Sequence, residues 1–213
     1  MGVITLTKKR LLSIGIVLII LAAALFATPS VIEQLTVSSY RSYMTNINKP
    51  AMLAAIRTNI TAFLGYSNQT YSLQDLFKWE GTYMKFVNGA LNNRPTDPTA
   101  ILASGKGKCQ EFSILFAAAC LSVGYNASLV VVMSSDYLFT EHAFNEVYYP
   151  NGSWVQVDSS WFTPTRLVVN DTSIYHDASW WSKIGKGDMM QAFFANGKVE
   201  DVTCHYDESL SHR

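Results

Sequence analysis

The chain has 213 residues, with 16 Lys and Arg against 16 Asp and Glu, so its formal net charge is zero. This balance excludes the basic excess that is typical of a nucleic-acid-binding surface. Aromatic residues make up 13% of the sequence, and this content and length indicate one packed, mid-sized domain with a short appendage rather than a disordered chain.

The N-terminus differs from this globular pattern. Lys8-Lys9-Arg10 precedes an uncharged stretch from Leu11 to Ala27, which is at the short end of the length needed to cross a membrane. We predict that this stretch is a signal-anchor. Because the basic residues before it stay on the cytoplasmic side of the membrane, the domain that follows is expected on the outside. The alternative is a cleaved signal peptide, although Leu25 and Ala27 fit the small-residue cleavage rule poorly. Both alternatives export the domain.

The predicted organisation has five parts. The only region assigned to the membrane is the single-pass anchor, and the domain that follows it is separated from the anchor by a polar stalk. The parts are a cytoplasmic N-terminus over 1–10, the transmembrane signal-anchor over 11–28, the stalk over 29–48, the domain over 49–206 and a tail over 207–213.

Two amphipathic helices are predicted at the start of the domain. Pro50 suits a first helical position, and apolar residues recur at helical spacing up to Gly65. A second helix is predicted from Ser72, since Asp75 three residues later completes a capping-box-like pair. A short helical turn from Pro98 follows a loop.

A longer apolar helix follows, and Cys109 lies in its first turn. Gly105 and Gly107 precede the cysteine, and Gly124 suits the end of the helix. A helix N-terminus stabilises negative charge, so a thiol placed there ionises more easily. A structural cysteine gains nothing from this position, which makes Cys109 a candidate nucleophile.

Strands are predicted in the second half of the domain. A run rich in β-branched residues predicts a buried strand over 128–133, and two further strands, 141–149 and 154–160, flank the three-residue loop 150–152. Asn196-Gly197 is the strongest signal for a further hairpin. Helices followed by an antiparallel sheet indicate the α+β class.

The first hairpin permits a geometric test of the candidate chemistry. A three-residue loop pairs Tyr149 with Ser153, and continuing that register places Phe144 opposite Asp158. By strand parity His142, Phe144 and Asp158 then share one face. His142 and Asp158 become diagonal neighbours, roughly 7–8 Å apart at the backbone, a gap that an imidazole and a carboxylate can bridge. The sequence therefore predicts a base and its orienting carboxylate.

Four segments carry a family resemblance, namely 107–112, 123–127, 142–148 and 154–158. In order and spacing they resemble the core of the transglutaminase-like cysteine enzymes, over about residues 99–161. The resemblance implies a papain-like α+β fold, in which N-terminal helices pack on an antiparallel sheet. It also implies that the candidate catalytic residues act together, and these are Cys109, His142 and Asp158.

A weaker similarity extends toward the C-terminus. Ala192-Phe193 and the segment 201–206 are similar to the tail of peptide:N-glycanase-type members, although the paired zinc-binding cysteines of the cytosolic glycanases are absent. Phe144 stands where the family often has tryptophan. Trp79 and Gln110 are candidates for the oxyanion hole, together with backbone N–H groups at the start of the Cys109 helix.

The remaining cysteines and the Asn-x-Ser/Thr motifs bear on metal binding, disulfide formation and glycosylation. No C-x-x-C motif is present, so neither a structural zinc site nor a cofactor is predicted, and a Cys120–Cys204 disulfide is left open. The odd count leaves at least one thiol unpaired in an exported chain. Five Asn-x-Ser/Thr sequons are candidates for glycosylation: Asn59, Asn68, Asn126, Asn151 and Asn170.

The expected function is that of a membrane-anchored extracytoplasmic enzyme acting on a peptide or protein amide through a thioester at Cys109. Water would complete a hydrolysis and an amine would complete a transamidation, and we favour hydrolysis. One alternative is a catalytically idle transglutaminase-like module that binds or scaffolds a partner. A further alternative is an N-glycan amidase.

Overall fold

The computed structural model describes residues 33–65, 71–87, 95–133, 140–161 and 188–206. The predicted cytoplasmic segment, signal-anchor and C-terminal tail lie outside these ranges. Within them, none of the helices combines the length and the apolar character that crossing a membrane requires.

Helices precede the main sheet along the chain. The helices are α1 over 33–47, α2 over Pro50–Leu64, α3 over Leu73–Tyr83, α4 over Pro98–Ser104 and α5 over Cys109–Ser122. The strands are β1 over Lys85–Phe86, β2 over Lys106–Gly107, β3 over Asn126–Met133, β4 over Thr140–Tyr148, β5 over Trp154–Val157, β6 over Met189–Phe194 and β7 over Val199–Asp201. This order confirms the predicted α+β class.

Local chemistry explains where α2 and α3 begin and end. Pro50 is the first residue of α2, and Gly65 ends that helix in the left-handed conformation with φ 75°. At the start of α3 the Asp75 backbone N–H donates to Ser72 Oγ at 3.1 Å, and the Ser72 N–H donates to Asp75 Oδ2 at 3.0 Å. The predicted capping box is therefore present.

The main sheet is antiparallel, with the strand order β5-β4-β3-β6-β7. One face carries Leu129 and Val131 and belongs to the same apolar core as α5. The Asn145 side chain joins the two layers, since its Nδ2 donates to Ser113 O in α5 and to Ser128 O in β3, both at 2.9 Å. The sheet therefore holds α5 at a fixed depth.

The opposite face of the sheet is covered by a C-terminal turn over Thr203–His205 and by the residue that follows it. Tyr206 Oη donates to Glu146 Oε1 at 2.6 Å, and His205 Nδ1 lies 2.9 Å from the same oxygen. Tyr148 donates to the other oxygen, Oε2. Glu146 is completely buried in β4, so its carboxylate ties the turn to the central part of the sheet.

Helix α1 differs from the predicted organisation. Tyr40, Met44 and Ile47 are buried in the main core, and the Tyr40 ring centroid lies 5.5 Å from that of Phe193 in β6. Residues 33–47 therefore pack against the domain, whereas the sequence places them in a stalk. These apolar positions recur at helical spacing, but the surface against which they pack is formed by residues far along the chain, such as Phe193.

Candidate active site

The approach to Cys109 is built from short elements. Gly105 ends α4 with φ 62°, and β2 then pairs in parallel with β1 before the chain enters α5. Cys109 is the first residue of α5 and is partly exposed. The preceding Lys108 N–H donates to Glu111 Oε2 at 2.9 Å, which fixes the first turn of the helix. The thiol is thus carried on a helix N-terminus, as predicted.

Gly107 is required by close packing. A Cβ atom at this position would lie 2.5 Å from Glu111 Cβ and 3.1 Å from Met84 Cε. Glu111 is fully buried and its carboxylate caps α5, so moving it aside would disturb the start of the helix. The missing side chain at Gly107 therefore lets the capping carboxylate sit directly against the loop that delivers Cys109.

The β4–β5 hairpin has the predicted register. Tyr149 N–H donates to Ser153 O at 2.8 Å, and Gly152 supplies the left-handed position with φ 85°. The last registered pair is Asn145 with Val157, so the next residue of each strand brings Phe144 to the level of Asp158. This register places Asp158 within reach of His142.

His142 and Asp158 form a buried pair. His142 Nε2 lies 2.5 Å from Asp158 Oδ2, and the two residues are only 6% and 8% exposed. The other oxygen, Asp158 Oδ1, accepts from Ser160 Oγ at 2.6 Å and from the Ser160 N–H at 3.2 Å. The carboxylate is therefore oriented from both sides, and it fixes the position of the imidazole.

The third member of the set lies against the same imidazole. The Cys109 thiol hydrogen-bonds His142, and since Nε2 is occupied by Asp158, this leaves Nδ1 for the thiol. Burial by itself lowers the pKa of His142, but the charge and hydrogen bond of Asp158, with a smaller effect of Cys109, raise that pKa to about 10. The imidazole therefore carries a proton at neutral pH.

The two side chains predicted for the oxyanion hole are placed differently. Trp79 is fully buried, and its indole Nε1 donates to Asn59 Oδ1 at 2.9 Å. Its N–H is therefore already used inside the core, and a role of Trp79 in the oxyanion hole stays a prediction. Gln110 is the second residue of α5, next to the thiol, and is partly exposed.

The three cysteines are all free thiols. Cys120 is completely buried in α5 and Cys204 is exposed in the C-terminal turn, so they are not joined. Burial, with the nearby Glu80 carboxyl, raises the pKa of Cys120 well above its ordinary value. In the described part of the chain, no group of three or more His, Cys, Asp or Glu side chains is arranged to hold a metal ion.

Three of the five sequons fall in the described ranges. Asn126 and Asn151 are exposed, the first at the start of β3 and the second in the hairpin loop. Asn59 is partly buried within α2 and accepts the Trp79 hydrogen bond. Asn68 and Asn170 lie outside the described residues. Use of these sequons stays a prediction.

Sequence reasoning missed three residues around the site. Ser160 follows Asp158 by two positions, a spacing that allows a hydroxyl and a backbone N–H to bind one carboxylate. Glu111 follows Lys108 by three positions, the spacing of a capping residue. These two were detectable from the sequence. Glu80, fully buried in α3, gives no such signal.

Residues 57–159 match the family described as the transglutaminase-like superfamily, and the matched range contains all three members of the Cys-His-Asp set. This stretch is a transglutaminase-like domain. Its helices and antiparallel sheet agree with the expected α+β fold of that superfamily.

A rice (Oryza sativa subsp. japonica) peptide-N(4)-(N-acetyl-beta-glucosaminyl)asparagine amidase is similar to the transglutaminase-like domain. It is 33% identical over 110 residues, which are 52% of this chain and 21% of the relative. The chain thus spans about a fifth of that curated relative.

Two solved structures are also similar. A candidate cysteine protease from Cytophaga hutchinsonii has a TM-score of 0.41 and 17% identity, over 53% of this chain and 39% of that one. A TGase has a TM-score of 0.39 and 16% identity, over 87% of this chain and 40% of that one.

Proposed function

We propose that the protein is a cysteine-dependent amide hydrolase whose nucleophile is Cys109. One observation carries the proposal: a partly exposed thiol at a helix N-terminus hydrogen-bonds an imidazole, and that imidazole is held by a buried, doubly hydrogen-bonded carboxylate. Membership of the transglutaminase-like superfamily supports enzyme activity. Each residue type in the set has a defined task in acyl transfer.

The first half of the reaction forms a thioester. The Cys109 thiolate attacks the carbonyl carbon of an amide, and the carbon–nitrogen bond breaks as protonated His142 transfers its proton to the leaving amine. Asp158 keeps the ring oriented and stabilises the imidazolium, which is consistent with the raised pKa of His142. Backbone N–H groups in the first turn of α5 are the candidates for stabilising the oxyanion.

The second half returns the enzyme to its starting state. Neutral His142 takes a proton from water, the hydroxide attacks the thioester carbonyl, and the thiolate leaves as the carboxylic acid forms. An amine in place of water would give a new amide by the same steps. We propose hydrolysis as the main reaction and a peptide or protein amide as the substrate.

A labelling experiment on the full-length chain in detergent tests the nucleophile. We expect iodoacetamide to modify Cys109 at pH 6 at least tenfold faster than Cys204, because the imidazole that contacts the Cys109 thiol activates it as a nucleophile. Peptide mass spectrometry measures both sites in one sample, so exposed Cys204 serves as the internal reference.

Two variants complete this experiment. His142→Ala should reduce Cys109 labelling at pH 6 to the level of Cys204, while Cys109→Ser should abolish labelling at that site and any hydrolysis of a peptide library. Equal labelling of the two thiols in the unmodified chain would contradict the proposal. That result would favour the alternative of an idle binding module.

An N-glycan amidase is the second candidate. It is favoured by the similarity to the rice amidase over 110 residues. Release of glycan from a denatured glycopeptide, lost in Cys109→Ser, would establish it. Cleavage of unglycosylated peptides without glycan release would exclude it in favour of peptide hydrolysis.

We also propose that the domain is anchored outside the cell membrane through residues 11–28. The support is the uncharged stretch that follows Lys8-Lys9-Arg10. Protease added to intact cells should remove the domain if this orientation holds. Protection of the domain until the cells are lysed would contradict it.

A further inference from the structure

A buried acid lies behind the Cys-His-Asp set. Glu80 in α3 is completely buried, and neither of its carboxyl oxygens makes a hydrogen bond within the described part of the chain. A buried polar group without a partner is costly and therefore requires an explanation. The mechanism proposed above does not use this side chain.

Three groups from two other elements face this carboxyl. They are the Ser159 hydroxyl and the Asp158 carboxylate, both at the end of the β4–β5 hairpin, and the Cys120 thiol of α5. Ser159 is 1% exposed, and its Oγ also makes no hydrogen bond among the described residues. Two unsatisfied groups thus face one another, and one hydrogen bond between them would give the Ser159 hydroxyl and one Glu80 oxygen a partner.

The surroundings of the two carboxyl groups decide which one is charged. Asp158 receives hydrogen bonds from His142 and from the N–H and Oγ of Ser160, whereas Glu80 has no comparable donors. Two carboxylates sharing a buried site do not ionise together, so the charge goes to the group with more donors. Burial raises the pKa of Glu80 well above its ordinary value, and the charge of Asp158 raises it further. A hydrogen bond from Ser159 acts in the opposite direction and lowers that pKa.

We propose that Glu80 is a positioning residue for Asp158: as an uncharged acid it holds the Ser159 turn through the Ser159 hydroxyl, so that Asp158 is the single charged carboxylate behind His142. This inference rests on the proposed function, because it assigns Glu80 a place in the same reaction. Glu80 acts through the turn that carries Asp158 and does not touch the substrate.

The first test measures the proton on Glu80. Wild-type protein and Glu80→Gln are unfolded with urea at pH 5, 6.5 and 8. A group whose pKa is raised on folding contributes stability that is present below its unfolded value and is lost as the pH rises. The stability of the wild type relative to Glu80→Gln, which cannot ionise, should therefore fall from pH 5 to pH 8. A constant difference would overturn the proposal.

The second test asks whether Glu80 affects the site. Iodoacetamide labelling of Cys109 is followed between pH 5 and pH 9 in three variants of the full-length chain. Glu80→Gln, which keeps a neutral hydrogen-bonding group, should stay within about threefold of the wild type. Glu80→Met and Ser159→Ala should each lower the rate at pH 6 about tenfold, and the double variant should be no worse than either alone, because both remove the same hydrogen bond.

Glu146→Gln is the matched control. Glu146 is equally buried, but its carboxylate is bound by Tyr206, His205 and Tyr148 and by no residue of the Asp158 turn, so its substitution should lower stability without changing the pH profile of Cys109. Should Glu80→Met fail to fold, Ser159→Ala and the urea series still decide the question.

The outcomes distinguish a failure of the role of Glu80 from a failure of the proposed function. Fast labelling of Cys109 in the wild type, with unchanged profiles in Glu80→Met and Ser159→Ala, overturns the role of Glu80 and leaves the proposed function intact. Labelling of Cys109 no faster than Cys204 in the wild type overturns the proposed function. In that case the urea series still determines whether Glu80 is the neutral member of the pair.

Discussion

At the scale of single residues, the environment of His142 determines the chemistry of the site. The ring is 6% exposed, and burial without a partner would favour its neutral form. Asp158 reverses that preference because its carboxylate is held by Ser160 and directed at Nε2. The reactivity of Cys109 therefore depends on a carboxylate that it does not touch.

Replacing the carboxylate by an amide should reverse this effect. In Asp158→Asn we expect the pKa of His142 to fall from about 10 toward its ordinary value of about 6.5, because the largest stabilising charge is lost. Imidazole resonances followed by NMR during a pH titration measure the change. Asp201→Asn, at the exposed end of β7, is the control, and an unchanged titration of His142 in Asp158→Asn would contradict the assignment.

The same pKa predicts how stability depends on pH. Since folding raises the pKa of His142 from 6.5 to about 10, its contribution is fully present below pH 6.5 and is lost as the pH rises toward 10. Relative to His142→Gln, the wild type should lose on the order of 4 kcal/mol of unfolding free energy between pH 6 and pH 10. Urea unfolding at four pH values measures this loss, and parallel curves for the two proteins would exclude it.

At the scale of elements, the start of α5 depends on a glycine that is not in a left-handed conformation. Gly107 is needed because Glu111 occupies the space where its Cβ would lie. Gly152 is the opposite case, since a Cβ there meets nothing within 4 Å and only its φ of 85° favours glycine. Substitution of Gly107 therefore causes steric overlap, whereas substitution of Gly152 causes only backbone strain.

This contrast leads to a paired prediction. Gly107→Ala should cost about 1–3 kcal/mol of stability through overlap with Glu111 and should also slow the labelling of Cys109, because the cap of α5 is displaced. Gly152→Ala should cost about 1 kcal/mol and leave the labelling unchanged. Urea denaturation and the iodoacetamide rate measure the two effects. Equal labelling in both variants would show that the cap does not position the thiol.

The hairpin and the helix starts were predictable because their signals are local. A three-residue loop with Gly152 fixes the register over the whole β4–β5 pair, and so brings Asp158 to His142. The core position of α1 was not predictable, since it depends on contacts such as that between Tyr40 and Phe193 across most of the chain. The burial of Glu80 was not predictable either, because it depends on the packing of α3 against the turn that carries Asp158.

At the scale of the whole molecule, the C-terminal turn completes the sheet. Tyr206 donates to the buried Glu146 carboxylate, and His205 stacks on Trp154 of β5 with ring centroids 4.8 Å apart. The turn thus joins the strand that carries His142 to the last described residues of the chain. This contact lies on the face of the sheet opposite α5.

Tyr206→Phe should therefore lower stability without affecting the chemistry. We expect a loss of about 2 kcal/mol, because a hydrogen bond to a buried carboxylate is removed and Glu146 loses one of its donors. Tyr83→Phe, at a side chain that is 40% exposed, is the control and should change stability little. A reduced rate of Cys109 labelling in Tyr206→Phe would show that the C-terminal turn is coupled to the thiol.

The strand order has a consequence for how the molecule is made. Cys109, His142 and Asp158 lie within 50 consecutive residues, so every residue of the set has been synthesised before β6. Until β6 has been synthesised, the edge of β3 that pairs with it is open. Val130 and Val132 of β3 then also lack the apolar residues of β6 and the C-terminal turn that pack against them. An open apolar edge is a template for pairing with another chain. The nascent chain therefore passes through a stage in which the nucleophile is already made and the sheet beside it is still open to association.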